Sequence, residues 1–337
     1  MKALLFSLLV LAACASAVRA PASPGGADYR FETGVFAKEN FYAHPESLSP
    51  DADPSGAYGP YNRDFDSGRG TQWYIESQRF GIDVFAAGLA WNRRDLVDRG
   101  LKIFDWGFAH QSADGSFACS DRFHSTAFFV EAAARAALLL KESAFAKDYE
   151  PWITKATPRL LAAARWLAKN VDGGMKSDSL YTHRYYLNAD AFAFAGLLGG
   201  DDSLVALSRR LVKEGAAAQA PEGFNPEKHG FDTSYHAVGL VFALRYRAIA
   251  GSANVLDPMI TKGLAWLKSR ERADGSFDQT GNTRTGNGQE VGRDKKPKTM
   301  SWGSAARAFA EAQELGIPGG DEALARAIVA YGRAHAH

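Results

Sequence analysis

From about residue 70 onward the chain alternates between two kinds of apolar pattern, and the period-two pattern of strands is scarce. Residues 92–111, 151–170, 202–219, 257–272 and 321–336 are amphipathic at helical spacing, with charges gathered on one face. Between them lie segments that are apolar on nearly every face: WYIESQRFGIDVFAAGLAW, HSTAFFVEAAARAALLL, YYLNADAFAFAGLLGG, SYHAVGLVFALRYRAIA and SWGSAARAFAEAQEL. The first kind predicts half-exposed helices and the second predicts buried ones. The links repeat as well. ADGSF at 113–117 returns at 273–277, and VDGGM at 171–175 and PEGFN at 221–225 hold the equivalent place. The link glycines at 115, 173, 223 and 275 are 58, 50 and 52 residues apart.

A repeat of one exposed and one buried helix predicts an outer and an inner layer. Arranged as an incomplete or closed ring, about five to seven such hairpins make an all-α fold, an α/α toroid, spanning residues 70–337. An open solenoid would stack the same pairs, but the very apolar inner helices favour closure. In a toroid the inner helices run one way, so their N-termini meet at one mouth. The five inner starts align as Thr71–Tyr74, Asp121–His124, His183–Tyr186, Asp232–Tyr235 and Thr299–Trp302. The first position often suits an N-cap. The fourth is Tyr, His, Tyr, Tyr and Trp, which predicts a ring of aromatic and imidazole groups around one cavity. Helix dipoles point their positive ends at that cavity and favour an anionic guest.

Composition changes this picture little. At 337 residues, 46% apolar and 23% charged, the chain can bury a full core. A net charge of +1 supplies no global field for nucleic acid, and no nucleic-acid motif appears. Of two cysteines, Cys119 reads as a small buried thiol, and no cysteine–histidine spacing suggests zinc. Neither a metal nor a cofactor is expected. Residues 1–20 read as a signal peptide, with a lipobox-like Leu11-Ala12-Ala13-Cys14 that would place a lipid on Cys14. An exported protein follows, periplasmic or anchored in the outer membrane. Residues 21–69, rich in Pro, Gly, Ser and Asp, read as a tether and irregular arm.

Tyr, Trp and His faces suit carbohydrate. The polar link 278–302 carries Arg293, Lys295, Lys296 and Lys298 and is expected to overhang the mouth. Basic groups there favour an acidic polysaccharide. Such a polymer can be cut without metal by β-elimination. A base takes the C5 proton, an acid protonates the leaving O4, and donors neutralise the carboxylate. Tyr74, Tyr185, Tyr186, Tyr235, His124, His183 and His236 are candidates for the proton transfers, and Gln72, Asn188, Arg184 and Arg293 for neutralisation. Arg122 and Trp302 stand at the same helix starts and are expected to touch substrate.

Helix pairs, DG links and Tyr, His, Asn and Arg at inner starts resemble the α/α-toroid polysaccharide lyases, those acting on alginate or glucuronan in particular. The resemblance covers residues 70–337 in architecture. The Asn-Asn-His-Ser-Tyr-Trp signature of one alginate lyase family is absent, with FHSTAFF and TSYHAVG nearest to it. The resemblance implies a Tyr/His pair with an Asn or Arg neutraliser, placed by type and position on Tyr235, His236, His183, Asn188 and Arg293. A glycoside hydrolase on the same scaffold would need two carboxylates roughly 5–9.5 Å apart, from Asp121, Asp190, Asp232, Glu290 or Glu76. A carbohydrate-binding protein without catalysis would need neither.

Overall fold

The computed structural model describes residues 55–58, 74–286, 290–292 and 296–335. Among them the regular structure is all helical, with only isolated bridges of extended chain. The expected signal, lipid site and most of the N-terminal arm lie outside the described residues.

A short helix α1 (Tyr74–Ser77) continues through a 3-10 turn into α2 (Gly81–Ala90). There follow α3 (Arg94–Ala109), α4 (Arg122–Glu142), α5 (Ala146–Lys169), α6 (Val171–Asp178), α7 (Thr182–Gly199) and α8 (Asp202–Ala217). The last four are α9 (Thr233–Ile249), α10 (Ala253–Ser269), α11 (Trp302–Glu314) and α12 (Glu322–His335). Five hairpins result: α2–α3, α4–α5, α7–α8, α9–α10 and α11–α12. The inner members pack in chain order, α2 on α4, α4 on α7, α7 on α9 and α9 on α11. Each outer member packs on its own inner partner.

The two hydrophobic patterns explain this division. Helix α4 is buried from Phe123 to Leu140 apart from Phe128, as its all-round apolar pattern requires. It is long and apolar enough to cross a membrane, yet 94% of its most apolar window is buried inside the protein. Outer helix α8 buries only one stripe, Leu204, Val205, Ser208, Leu211, Val212 and Gly215.

Two of the links between hairpins share a device. Gln111 donates from Nε2 to Gly115 O (3.0 Å) and to Arg159 O on the next outer helix (2.9 Å). Gln219 does the same to Gly223 O and Met259 O, both at 2.9 Å. The glycines are needed there. Gly115 (φ +89°) and Gly223 (φ +109°) lie so close to the next outer helix that a Cβ would meet Ala162 O at 2.3 Å and Lys262 O at 2.7 Å. The exception is VDGGM, expected as a link but folded into helix α6, with Gly173 inside it. In the N-terminal arm, Ser55–Tyr58 is docked rather than loose. Tyr58 and Gln78 exchange hydrogen bonds of 2.9 and 3.1 Å.

Candidate functional site

The third residue of α1, α4, α7, α9 and α11 is Glu76, His124, Arg184, Tyr235 and Ser304, and all five line one cleft of about 990 Å³. One side chain per helix therefore reaches a common mouth, as the convergent helix starts require. The polar link overhangs this mouth, with Arg284, Val291 and Lys298 among its lining residues.

Asp232 sets the geometry. It caps α9 through Tyr235 N (3.0 Å), and its other oxygen accepts from the backbone N–H groups of Arg284 (2.9 Å) and Thr285 (2.7 Å). One buried carboxylate thus fixes the first turn of α9 and the start of the flap. The Arg284 guanidinium lies 3.5 Å from the Tyr235 ring centre, and Lys298 Nζ lies 5.4 Å from it. His183 packs on the same ring at 5.0 Å. Glu227, buried, accepts from His183 Nδ1 at 2.7 Å and from Arg284 Nη1 at 3.1 Å. Glu290 then joins the flap to its base, accepting from Arg284 Nε (3.3 Å), Lys298 (2.5 Å) and Lys228.

Burial pushes the His183 imidazole below its ordinary value, and the Arg284 and Arg184 charges add to this against Glu227. The ring is held neutral, with Nδ1 donating to Glu227, so Nε2 is an acceptor. Burial also raises Glu290, but hydrogen bonds from Lys228 and Lys298 and the charge of Arg284 prevail and take it to about 2.

Deeper in the cleft the wall turns apolar, with Phe128 on α4 and Val238, Val241 and Phe242 on α9. Below it Arg135 and Arg245 both approach Glu131 Oε1, at 2.8 and 3.5 Å. Burial holds the Asp83 carboxyl above its ordinary value, although Arg307, Arg135, Arg245 and Arg79 pull it down. Among the described residues, seven cations line the cleft against three carboxylates, Glu76, Asp83 and Glu131. The partners Asp178, Glu227, Glu290 and Glu311 stand outside the lining.

Of the residues expected from sequence, His124, His183, Arg184 and Tyr235 meet in the cleft. His236 does not. Its Nδ1 accepts from Asn225 N and its Nε2 donates to Gly263 O, both at 3.0 Å, and burial takes it down to about 4. It is a core residue between α9 and α10, where an adjacent position on a helix must turn by about 100°. Asn188 is fully buried against Asp178, and Tyr186 is fully buried beside Gly215 of α8. Tyr185 faces the same outer helix. Tyr74 packs edge-on against Trp106 and His110, and Trp302 against Tyr331. Arg122 turns back to Phe117 O and Ser116 Oγ. Lys296 is exposed on the flap outside the lining. Gln72, Arg293 and Lys295 lie outside the described residues.

The misplacements at three helices have one cause. The true starts lie two residues from the aligned ones, so Glu76, Arg184 and Ser304 replace Tyr74, Tyr186 and Trp302. Glu227 and Arg284 were missed because both sit in loops, where no periodicity marks them. Among the carboxylates considered for hydrolysis, Asp121 and Asp232 are caps, Glu290 is locked in ion pairs, and Asp190 lies outside the lining. Among the described residues, no three His, Cys, Asp or Glu side chains converge to hold a metal ion. Comparison of the chain with family models, curated proteins and solved structures finds no match.

Proposed function

We propose that the hairpins form an α/α toroid and that the protein is a lyase cleaving a uronic-acid-containing polysaccharide, of alginate or glucuronan type, by β-elimination. The observation that carries this reading is the Glu227–His183–Tyr235–Arg284 cluster at the mouth of a cationic cleft. Elimination needs a base, an acid and a cationic field, and the cluster has all three. In this reading the neutral His183, oriented by Glu227, takes the C5 proton through Nε2. The electron pair from the C5–H bond forms the C4–C5 double bond, and the C4–O4 bond breaks. Tyr235 gives its hydroxyl proton to O4. The transient phenolate forms beside Arg284 and Lys298, where positive charge stabilises it. Arg184 and Lys298 lie at the mouth to meet the uronate carboxylate. His236 has no part in this scheme, since both its ring nitrogens are occupied.

One observation favours a second reading. Asp83 is a cleft carboxyl whose burial favours the protonated form, the state a glycosidase acid requires. With Glu76 or Glu131 as its partner it would hydrolyse rather than eliminate. Incubation with alginate, glucuronan and neutral glycans separates the two. Elimination yields an unsaturated uronate absorbing near 235 nm. New reducing ends without that absorbance would overturn the lyase reading in favour of hydrolysis.

A further inference from the structure

The cleft is deep and closed at one end. Its lining follows α4 from His124 through Phe128 and Glu131 to Arg135, and α9 from Tyr235 through Val238 and Phe242 to Arg245. At 1.5 Å per residue, mouth and floor are about 15 Å apart. Beyond the arginines the same helices continue into core. Leu138 and Leu139 on α4 and Tyr246 and Ile249 on α9 are buried, as is Phe309 on α11. The lining stops at the arginines, so a polymer cannot pass through along this axis.

Charge is distributed along that depth in an informative way. The mouth has Arg184, Arg284 and Lys298, the middle has apolar side chains with the Arg79 guanidinium 4.1 Å over the Phe128 ring, and the floor has Arg135 and Arg245 converging on one Glu131 oxygen. Two guanidiniums share one Glu131 carboxylate, so the three groups carry one net positive charge, which suits the carboxylate of a ligand. Val238, Val241 and Phe242 in the middle suit the apolar face of a sugar ring, and Arg79 brings a positive charge beside them. A ligand that matches carries anionic groups spaced along about 15 Å, as a short run of acidic sugars does.

We propose that the cleft takes the end of an acidic polysaccharide chain, and that Arg135 and Arg245 bind the carboxylate of its terminal sugar. This rests on the lyase reading for the cut at the mouth, but the floor site itself is a binding site. The chain enters end-first, is cut beside Tyr235, and releases a short oligomer whose length is set by the distance from mouth to floor. The action is exolytic.

Two measurements test this with the whole protein. The first follows a polyuronate by viscosity and by product size. Short oligomers from the first minutes, beside long residual polymer and slowly falling viscosity, are expected. A rapid viscosity drop with mid-sized fragments overturns the proposal. The second is calorimetric binding of a uronate trisaccharide to wild type, Arg245→Gln and Arg245→Lys, with melting temperatures to verify folding. We expect at least a tenfold loss of affinity for Arg245→Gln and a smaller one for Arg245→Lys. No trisaccharide binding, or equal affinity in all three proteins, overturns the proposal. Arg245-dependent binding without any unsaturated product leaves the floor site standing and removes the lyase reading. Unsaturated product with Arg245-independent binding does the reverse.

Discussion

Nδ1 of His183 stands 2.7 Å from Oε1 of Glu227, and both side chains are buried. The residues are 44 positions apart, one on the first turn of α7 and the other in the loop before α9. The same carboxylate oxygen also accepts from His183 N at 3.3 Å, which ties ring and backbone to one partner. That contact fixes the tautomer and aims Nε2 away from Glu227. The second Glu227 oxygen holds Arg284 over Tyr235, so one carboxylate arranges both groups of the proposed proton transfers.

Glu227→Gln keeps the shape and removes the charge. Glu227 is the influence that raises His183 against burial, so its loss lowers the imidazole further. We expect kcat to fall about tenfold or more, and the acidic limb of its pH profile to move to lower pH. A limb that does not move would speak against His183 as the base.

Tyr235→Phe keeps the ring under Arg284 and removes only the hydroxyl. Release of unsaturated product is expected to fall by about a hundredfold or more, because proton transfer typically contributes that much. Circular dichroism and thermal melting should stay close to wild type. Near-normal turnover in a folded Tyr235→Phe protein would remove the tyrosine from the mechanism.

Much of the fold was legible because the helices declare themselves by period and the links by repetition. Gln111 and Gln219 do equivalent work with the carbonyls of the next hairpin, so the repeat in sequence is a repeat in bonding. The mouth was only half legible. A third-residue rule holds for five helices, but it depends on where each helix starts, and the caps differ. Asp121 and Asp232 cap with their side chains and were aligned correctly. Tyr181 and Ser301 make no side-chain cap, and those starts slipped by two residues. Residues such as Arg284 and Glu227 join through a folded loop, and nothing local in the sequence brings them together.

His236 is expected to matter for stability rather than turnover. His236→Ala leaves Asn225 N–H without its acceptor, removes the side-chain donor to Gly263 C=O and leaves a cavity beside Trp266. The cost should be about 2–4 kcal/mol in urea unfolding at pH 7. The wild-type ring has its proton affinity lowered from 6.5 to about 4. Between those values the unfolded chain takes up a proton that the folded chain refuses, so stability falls as pH drops through that window. The variant should lose less than wild type between pH 7 and 5, and equal losses would show that another group governs the decline.

Glu290 is expected to act as the clasp of the flap. Its carboxyl lies at about 2 against an ordinary 4.5, so its contribution is present above 4.5 and is lost as pH falls toward 2. Glu290→Gln should imitate that loss at neutral pH, because Lys228, Lys298 and Arg284 then lose their shared anion. Limited proteolysis within residues 278–300 should become several times faster, and KM should rise by a similar factor. The rest of the flap base, where Asp232 accepts from Arg284 and Thr285 backbone, stays intact in this variant. The helical core should therefore melt at its usual temperature. Unchanged proteolysis would mean that the Asp232 and Glu227 contacts hold the flap and that the Glu290 ion pairs contribute nothing to its closure.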